Sequence, residues 1–161
     1  MESIAASIIT YLEYIAKSLD FDDHVSVVSS FLQRQGFEFL GAGISRAAFK
    51  HSLTPTLVYK VSYTGFDGHD EQSVWNRASS IQRTLMAECY YSSNYVSVME
   101  YIEGPLLADI SKEDELKMDK EVIFFNVEKL FPSRSEFFDA HPENIIYSEA
   151  RKRFIVIDYG V

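Results

Sequence analysis

The sequence is poor in several features, and each shortage excludes something. It has a single cysteine, Cys89, so an intramolecular disulfide and a metal site built on several thiolates are both ruled out. Basic residues are scarce: 15 Lys and Arg stand against 24 Asp and Glu, for a formal charge of −9. A chain of that sign has no general attraction for nucleic acid or for anionic membranes, and neither partner is expected. No apolar run approaches the roughly 20 residues of a membrane-spanning helix. Met1-Glu2-Ser3-Ile4 lacks the basic charge that opens a signal peptide. A soluble, cytoplasmic protein is the expectation. Internal repeats and low-complexity tracts are missing as well.

What is present suffices for a packed core. The 161 residues are 47% hydrophobic, enough for one domain or for two small lobes sharing a core. Ile4, Ile8, Leu12, Ile15 and Leu19 recur at helical spacing and predict a first helix. Asp20 to Asp23 interrupt it, with Asp22 or Asp23 as a cap for a second helix bearing Val25, Val28, Phe31 and Leu32. Gly36 is the expected stop. These two helices are a packing extension or a partner-binding element.

From Phe37 to Tyr63 the pattern becomes strand-like, with a turn at His51 to Pro55. Glu71 to about Glu88 reads as one helix, on Val74, Ala78, Ile81 and Leu85. Tyr90 to Ile102 gives two short strands around Ser92-Ser93-Asn94, and Glu103-Gly104-Pro105 a linker. Helical stretches follow at Leu106 to Ile110 and Glu115 to Leu130, then a hairpin of Ile145–Tyr147 and Phe154–Ile157. The order describes an α+β protein with a small antiparallel sheet lobe and a small helical lobe.

Several residues could carry chemistry. Gly41-Ala42-Gly43 lies between two strands, where a Rossmann turn would need a helix to follow. A glycine pair at a hairpin tip lets backbone approach a phosphate, although a plain β-turn explains it too. In Leu57-Val58-Tyr59-Lys60-Val61, alternation puts Val58 and Lys60 on one face and the other three on the opposite face. Lys60 is then either an exposed sheet residue or a point charge for phosphates. Glu71 or Asp70 is its candidate partner. Near the end, Asp139 and Asn144 precede the hairpin, and Asp158 follows its second strand. Two carboxylates and a carboxamide so spaced can surround one Mg²⁺–phosphate centre.

Asp139-Ala140-His141-Pro142-Glu143-Asn144 and Asp158-Tyr159-Gly160 resemble the catalytic loop and Asp-Phe-Gly motif of the protein-kinase-like superfamily. The Asp-x-His-x-x-Asn order is similar to that of its aminoglycoside-phosphotransferase-like members. Val98-Met99-Glu100-Tyr101-Ile102-Glu103-Gly104 looks like the hinge of the same superfamily. The resemblance covers roughly residues 37 to 161. It implies ATP and Mg²⁺ as cofactors and a minimal, truncated kinase-like fold. Residues 1–36 would be a helical extension, 37–103 the sheet lobe with glycine loop and hinge, and 104–161 a reduced helical lobe.

It also implies roles. Asp139 would be the catalytic base or orienter of the acceptor hydroxyl, Lys60 would hold phosphates, and His141 would be structural or lie near the γ-phosphate. Asn144 and Asp158 would hold the metal. Gly41 and Gly43 would cradle phosphates. The Glu100 carbonyl and the Ile102 backbone would read the adenine, Met99 would close the rear of its pocket, and Ala48, Val58 and Ile146 would sandwich the base. Glu71 would pair with Lys60.

The pattern is broken at Arg46, which stands for the third glycine and either stiffens the loop or brings a guanidinium to a phosphate. It is broken again at Phe137, where the family has His or Tyr. The family's activation segment and later helices, which build the acceptor site, have no counterpart before Val161. Two functions follow from the resemblance: a minimal ATP-dependent phosphotransferase on an unknown acceptor, or an inactive kinase-like protein that binds and modulates a protein partner. Compact proteins of the second kind are familiar among bacteriophage products. Self-association through the first two helices is a further expectation, on the premise that the terminal hairpin has little cover.

Overall fold

A computed structural model describes residues 2–18, 25–43, 45–63, 70–111 and 141–159. The fold is α+β, a mixture of helices and antiparallel sheet, divided into two compact units. The first comprises Met1–Asp70 with Cys89–Tyr101, and the second Glu71–Glu88 with Ile102–Val161. The expected helix at Glu115 to Leu130, and Asp139 with it, lie outside the described residues.

The first unit holds helices α1 (Glu2–Ser18) and α2 (Val25–Arg34) and strands β1 (Phe37–Ala42), β2 (Arg46–His51), β3 (Leu57–Ser62), β4 (Cys89–Ser92) and β5 (Val96–Glu100). The strands form one sheet in the order β1-β2-β3-β5-β4. α2 ends where the sequence predicts, at Gly36, whose φ of +88° is costly for any residue with a Cβ.

Apart from irregularities at Phe39/Gly41 in β1 and Cys89/Tyr91 in β4, the strands alternate between two faces. Phe37, Ala47, Phe49, Tyr59, Val61, Val96 and Val98 point to one side. There they join Ile8, Leu12 and Ala16 of α1 and Val28 and Leu32 of α2 in a single apolar cluster. Burial of this kind is the main favourable term in folding, at roughly 25 cal/mol per Å² of apolar surface. The helical stripes are narrower than the sequence suggests: Ile4 and Phe31 are each 40% exposed. A hydrogen bond from the Tyr91 hydroxyl to Glu13 Oε1 (2.6 Å) ties α1 to the sheet edge.

The second unit contains α3 (Glu71–Arg77), α4 (Ser80–Arg83) and a hairpin of β6 (Ile145–Ser148) and β7 (Arg153–Val156). The single helix predicted from Glu71 to Glu88 is in fact broken. Ser79 starts α4 with a capping box: its hydroxyl accepts from Gln82 N–H (3.3 Å), and Gln82 Oε1 accepts from Ser79 N–H (2.8 Å). Ile81, counted in the apolar stripe, is 63% exposed. After Thr84 the chain runs extended along β7: Val156 N–H donates to the Leu85 carbonyl (2.7 Å) and Ala87 N–H to that of Val156 (2.8 Å).

The other edge of the hairpin is also covered. Tyr147 N–H donates to the Pro105 carbonyl (3.0 Å), and Leu106 bridges Ile146. Both edges of the hairpin therefore have backbone partners within this unit. The stretch predicted as helical at Leu106 to Ile110 is a single 3-10 turn, Leu107–Asp109. Among the described residues no helix is long and apolar enough to cross a membrane.

Candidate functional site

The face of the five-stranded sheet turned away from the apolar cluster carries most of the singled-out residues of the first unit. Cross-strand partners share a face. Ala48 lies opposite Lys60, Lys60 opposite Ser97, and Val58 opposite Met99. Ala48, Val58, Lys60 and Met99 thus form one surface, and Val58 and Lys60 share a face as the alternation of β3 predicts. Ala48, Val58 and Lys60 are half-buried, and Met99 is buried.

Gly41 pairs with Ala48 just after a bulge between Phe39 and Gly41. An added Cβ at Gly41 or Gly43 would meet nothing within 4 Å. The chain's own packing therefore does not demand glycine at either position. The tip of this hairpin is held by Gly43 N–H donating to the Arg46 carbonyl (2.9 Å) and by the Tyr63 hydroxyl donating to the Gly43 carbonyl. Tyr63 was not singled out in the sequence, where nothing marks a tyrosine at a strand end as a tether. Burial raises its pKa above the ordinary tyrosine value.

Arg46 lies at the start of β2 rather than at the loop tip. Its side chain is only 9% exposed, and Nη1 donates to Ser97 Oγ at 2.9 Å. Ser97 is fully buried, and its Oγ lies 3.0 Å from that of Ser92.

Just after β5, Tyr101 N–H donates to the Thr56 carbonyl at 2.8 Å. A carbonyl and the following N–H share one peptide plane and point in opposite directions. The Glu100 carbonyl therefore points away from β3. On that side β4 begins at Cys89, opposite Met99, so no described strand runs alongside Glu100 there. Lys50 Nζ sits 3.8 Å from the centre of the Tyr101 ring, a cation–π contact.

In the second unit, Glu71 opens α3 fully buried, whereas Asp70 is exposed. A carboxylate out of water needs a charge partner or hydrogen bonds, so of the two it is Glu71 that is suited to an ion pair. Ile102 is buried and Ile146 half-buried on β6.

Pro142–Asn144 make a 3-10 turn into β6, closed by Asn144 N–H donating to the His141 carbonyl (2.8 Å). Ile157 N–H donates to the Asn144 carbonyl (2.9 Å), which continues the hairpin register by one pair. Asn144 and Asp158 are thereby brought to the same end of the hairpin. Asp158 is exposed, while Tyr159 beside it is buried and donates its hydroxyl to the Ala87 carbonyl. That anchor fixes the backbone next to Asp158. His141 Nδ1 lies 3.7 Å from Glu143 Oε2, with both side chains exposed. Among the described residues no group of three or more His, Cys, Asp or Glu side chains is placed to hold a metal.

No protein-family model matches the chain, and a search of curated proteins returns no match. Among the solved structures that share part of its shape are two antibiotic complexes. The complex of Rv3197 with erythromycin, from Mycobacterium tuberculosis, is 16% identical with a TM-score of 0.49; the match covers 78% of this chain and 46% of that one. The streptomycin–ATP–APH(2")-IIa ternary complex is 15% identical with a TM-score of 0.36, covering 86% of this chain and 73% of that one. The chain thus spans less than half the length of the first. At such identities and scores neither likeness bears on activity.

Proposed function

We propose that the chain is a kinase-like protein that binds ATP with Mg²⁺ and transfers its terminal phosphoryl group to an acceptor. The observation that carries this reading is the sheet face free of the apolar cluster, where Lys60 is aligned with Ala48, Val58 and Met99 beside the glycine hairpin. Small and apolar side chains next to a lysine suit a flat base and a phosphate chain. The open space over Gly41 and Gly43 is what a close backbone approach to phosphate requires. The outward Glu100 carbonyl and the Ile102 backbone would offer the base edge one acceptor and one donor.

In this reading α1 and α2 are an extension that covers the back of a kinase-like sheet lobe (37–103). The remainder (104–161) is the catalytic lobe. Glu71 would be the carboxylate partner of Lys60. Asn144 and Asp158 would hold Mg²⁺, and their hard oxygen donors suit that ion. The metal would neutralise charge on the phosphates. Asp139 would orient the acceptor hydroxyl and take its proton, with His141 near the γ-phosphate.

Calorimetric titration with MgATP tests the reading. Saturable binding that Lys60→Ala weakens by tenfold or more supports it. No heat in the wild type, or equal affinity in the variant, refutes it and leaves capture of a protein partner as the function to pursue.

A further inference from the structure

We infer that Tyr63 is a positioning residue for the phosphate end of the site: its hydroxyl turns the Gly43 carbonyl away from the ligand face and holds the glycine hairpin in the shape that receives a phosphate chain. The inference rests on the nucleotide-binding reading, yet it answers to a separate comparison, phosphate-bearing ligands against a bare nucleoside.

Tyr63 grips the tip of the hairpin between β1 and β2 in two places. Gly43 N–H donates to the Arg46 carbonyl (2.9 Å), which closes the turn. Tyr63 follows the last residue of β3. Its N–H donates to the Ser45 carbonyl (3.1 Å), and its hydroxyl donates to the Gly43 carbonyl. Main chain and side chain of one tyrosine thus hold two carbonyls of the tip. The Tyr63 ring is half-buried and packs against the apolar cluster that joins the sheet to α1 and α2. A tether rooted there belongs to the core of the unit and not to the loop it holds.

The direction of the grip matters for a ligand. Ala48 and Lys60 face away from that cluster, on the other side of the sheet. A Gly43 carbonyl drawn to Tyr63 is drawn toward the cluster side. Backbone N–H groups attract phosphate and carbonyl oxygens repel it, so a tip held this way turns its repulsive group from the Lys60 face. A Cβ at Gly41 or Gly43 would meet nothing within 4 Å, so contacts on that side do not fix the shape of the loop. The tether fixes it from the other side, and a loop already shaped loses less freedom when a ligand binds. A tyrosine has only two side-chain torsions, and packing of its ring restrains both. Holding the sheet together does not require the hydroxyl, because β1, β2 and β3 are already paired through their backbones.

The test titrates the wild type, Tyr63→Phe and Lys60→Ala with MgATP, inorganic tripolyphosphate and adenosine, at a temperature where each ligand-free protein is fully folded by circular dichroism. Tyr63→Phe should weaken MgATP and tripolyphosphate by about fivefold, the scale of one net hydrogen bond, and leave adenosine within about twofold of the wild type. Undiminished phosphate affinity in Tyr63→Phe overturns the inference. So does an equal loss for all three ligands, which is what a merely structural bond would give. Tyr63-dependent tripolyphosphate binding with no gain in affinity from the base keeps the positioning role and refutes the nucleotide reading. Lys60-dependent MgATP binding that Tyr63→Phe leaves intact does the reverse. No binding of MgATP or tripolyphosphate to the wild type overturns both.

Discussion

Among the glycines described, Gly104 is the one whose surroundings leave no room for a side chain. Its φ is +148°, and a Cβ built there would lie 1.9 Å from the Tyr147 carbonyl oxygen and 3.0 Å from its carbon. The atom struck is backbone in β6, so relief requires moving the strand or the linker by more than an ångström. Either shift breaks the hydrogen bond from Tyr147 N–H to the Pro105 carbonyl and the Leu106–Ile146 bridge. Holding a residue with a Cβ at such a φ costs about 1–3 kcal/mol. The lost hydrogen bond adds about 1 kcal/mol. Gly104→Ala should therefore cost about 2–4 kcal/mol, against a typical total stability of about 5–15 kcal/mol. In a thermal melt followed by circular dichroism, that corresponds to a fall in Tm of roughly 10 °C. A fall of under about 2 °C would show that the linker does not pass this close to β6.

Other consequences are as direct. Leu12 is fully buried between α1 and the sheet, so Leu12→Ala should cost about 2–5 kcal/mol in a urea melt, whereas a change below 1 kcal/mol would mean that α1 does not dock there. Glu13 is held below the ordinary carboxylate range chiefly by the Tyr91 hydroxyl, with Ser93 and Lys17 assisting against the opposing effect of burial. A depressed folded-state pKa stabilises the protein above the ordinary carboxylate pKa, and that contribution is lost as pH falls through the lower folded-state value. The stability gap between wild type and Tyr91→Phe should accordingly be full at neutral pH and shrink in acid; a gap independent of pH would contradict the assignment. Tyr159→Phe leaves the Ala87 carbonyl without the buried hydroxyl, and should cost about 1–2 kcal/mol by chemical denaturation.

Much of the first unit is legible in the sequence because its strands alternate cleanly. Val58 and Lys60 separate from Leu57, Tyr59 and Val61 by period alone, and the structure keeps that division. Gly36 announces the end of α2 because only a glycine takes that backbone without strain. The break between α3 and α4 escaped the periodicity, since Val74, Ala78, Ile81 and Leu85 keep helical spacing through it. The Ser79–Gln82 capping box was the signal that could have found it. The bulge between Phe39 and Gly41 leaves no mark in composition. The path of Arg46 across the sheet is a matter of side-chain rotamer and cross-strand register, and neither is written in one strand's sequence. Asn144 and Asp158 could be suspected from their motifs, but the Asn144–Ile157 backbone bond that unites them depends on the hairpin register.

The most direct test of nucleotide binding on this sheet face is thermal stability with and without MgATP, on the wild type, Lys60→Ala and Asp158→Ala. A ligand that binds only the folded state, at about 100 times its Kd, stabilises by about 2.7 kcal/mol. The predicted result is a clear rise in Tm for the wild type that both substitutions abolish or sharply reduce. An unchanged Tm at millimolar MgATP, or a rise that survives both substitutions, would contradict it.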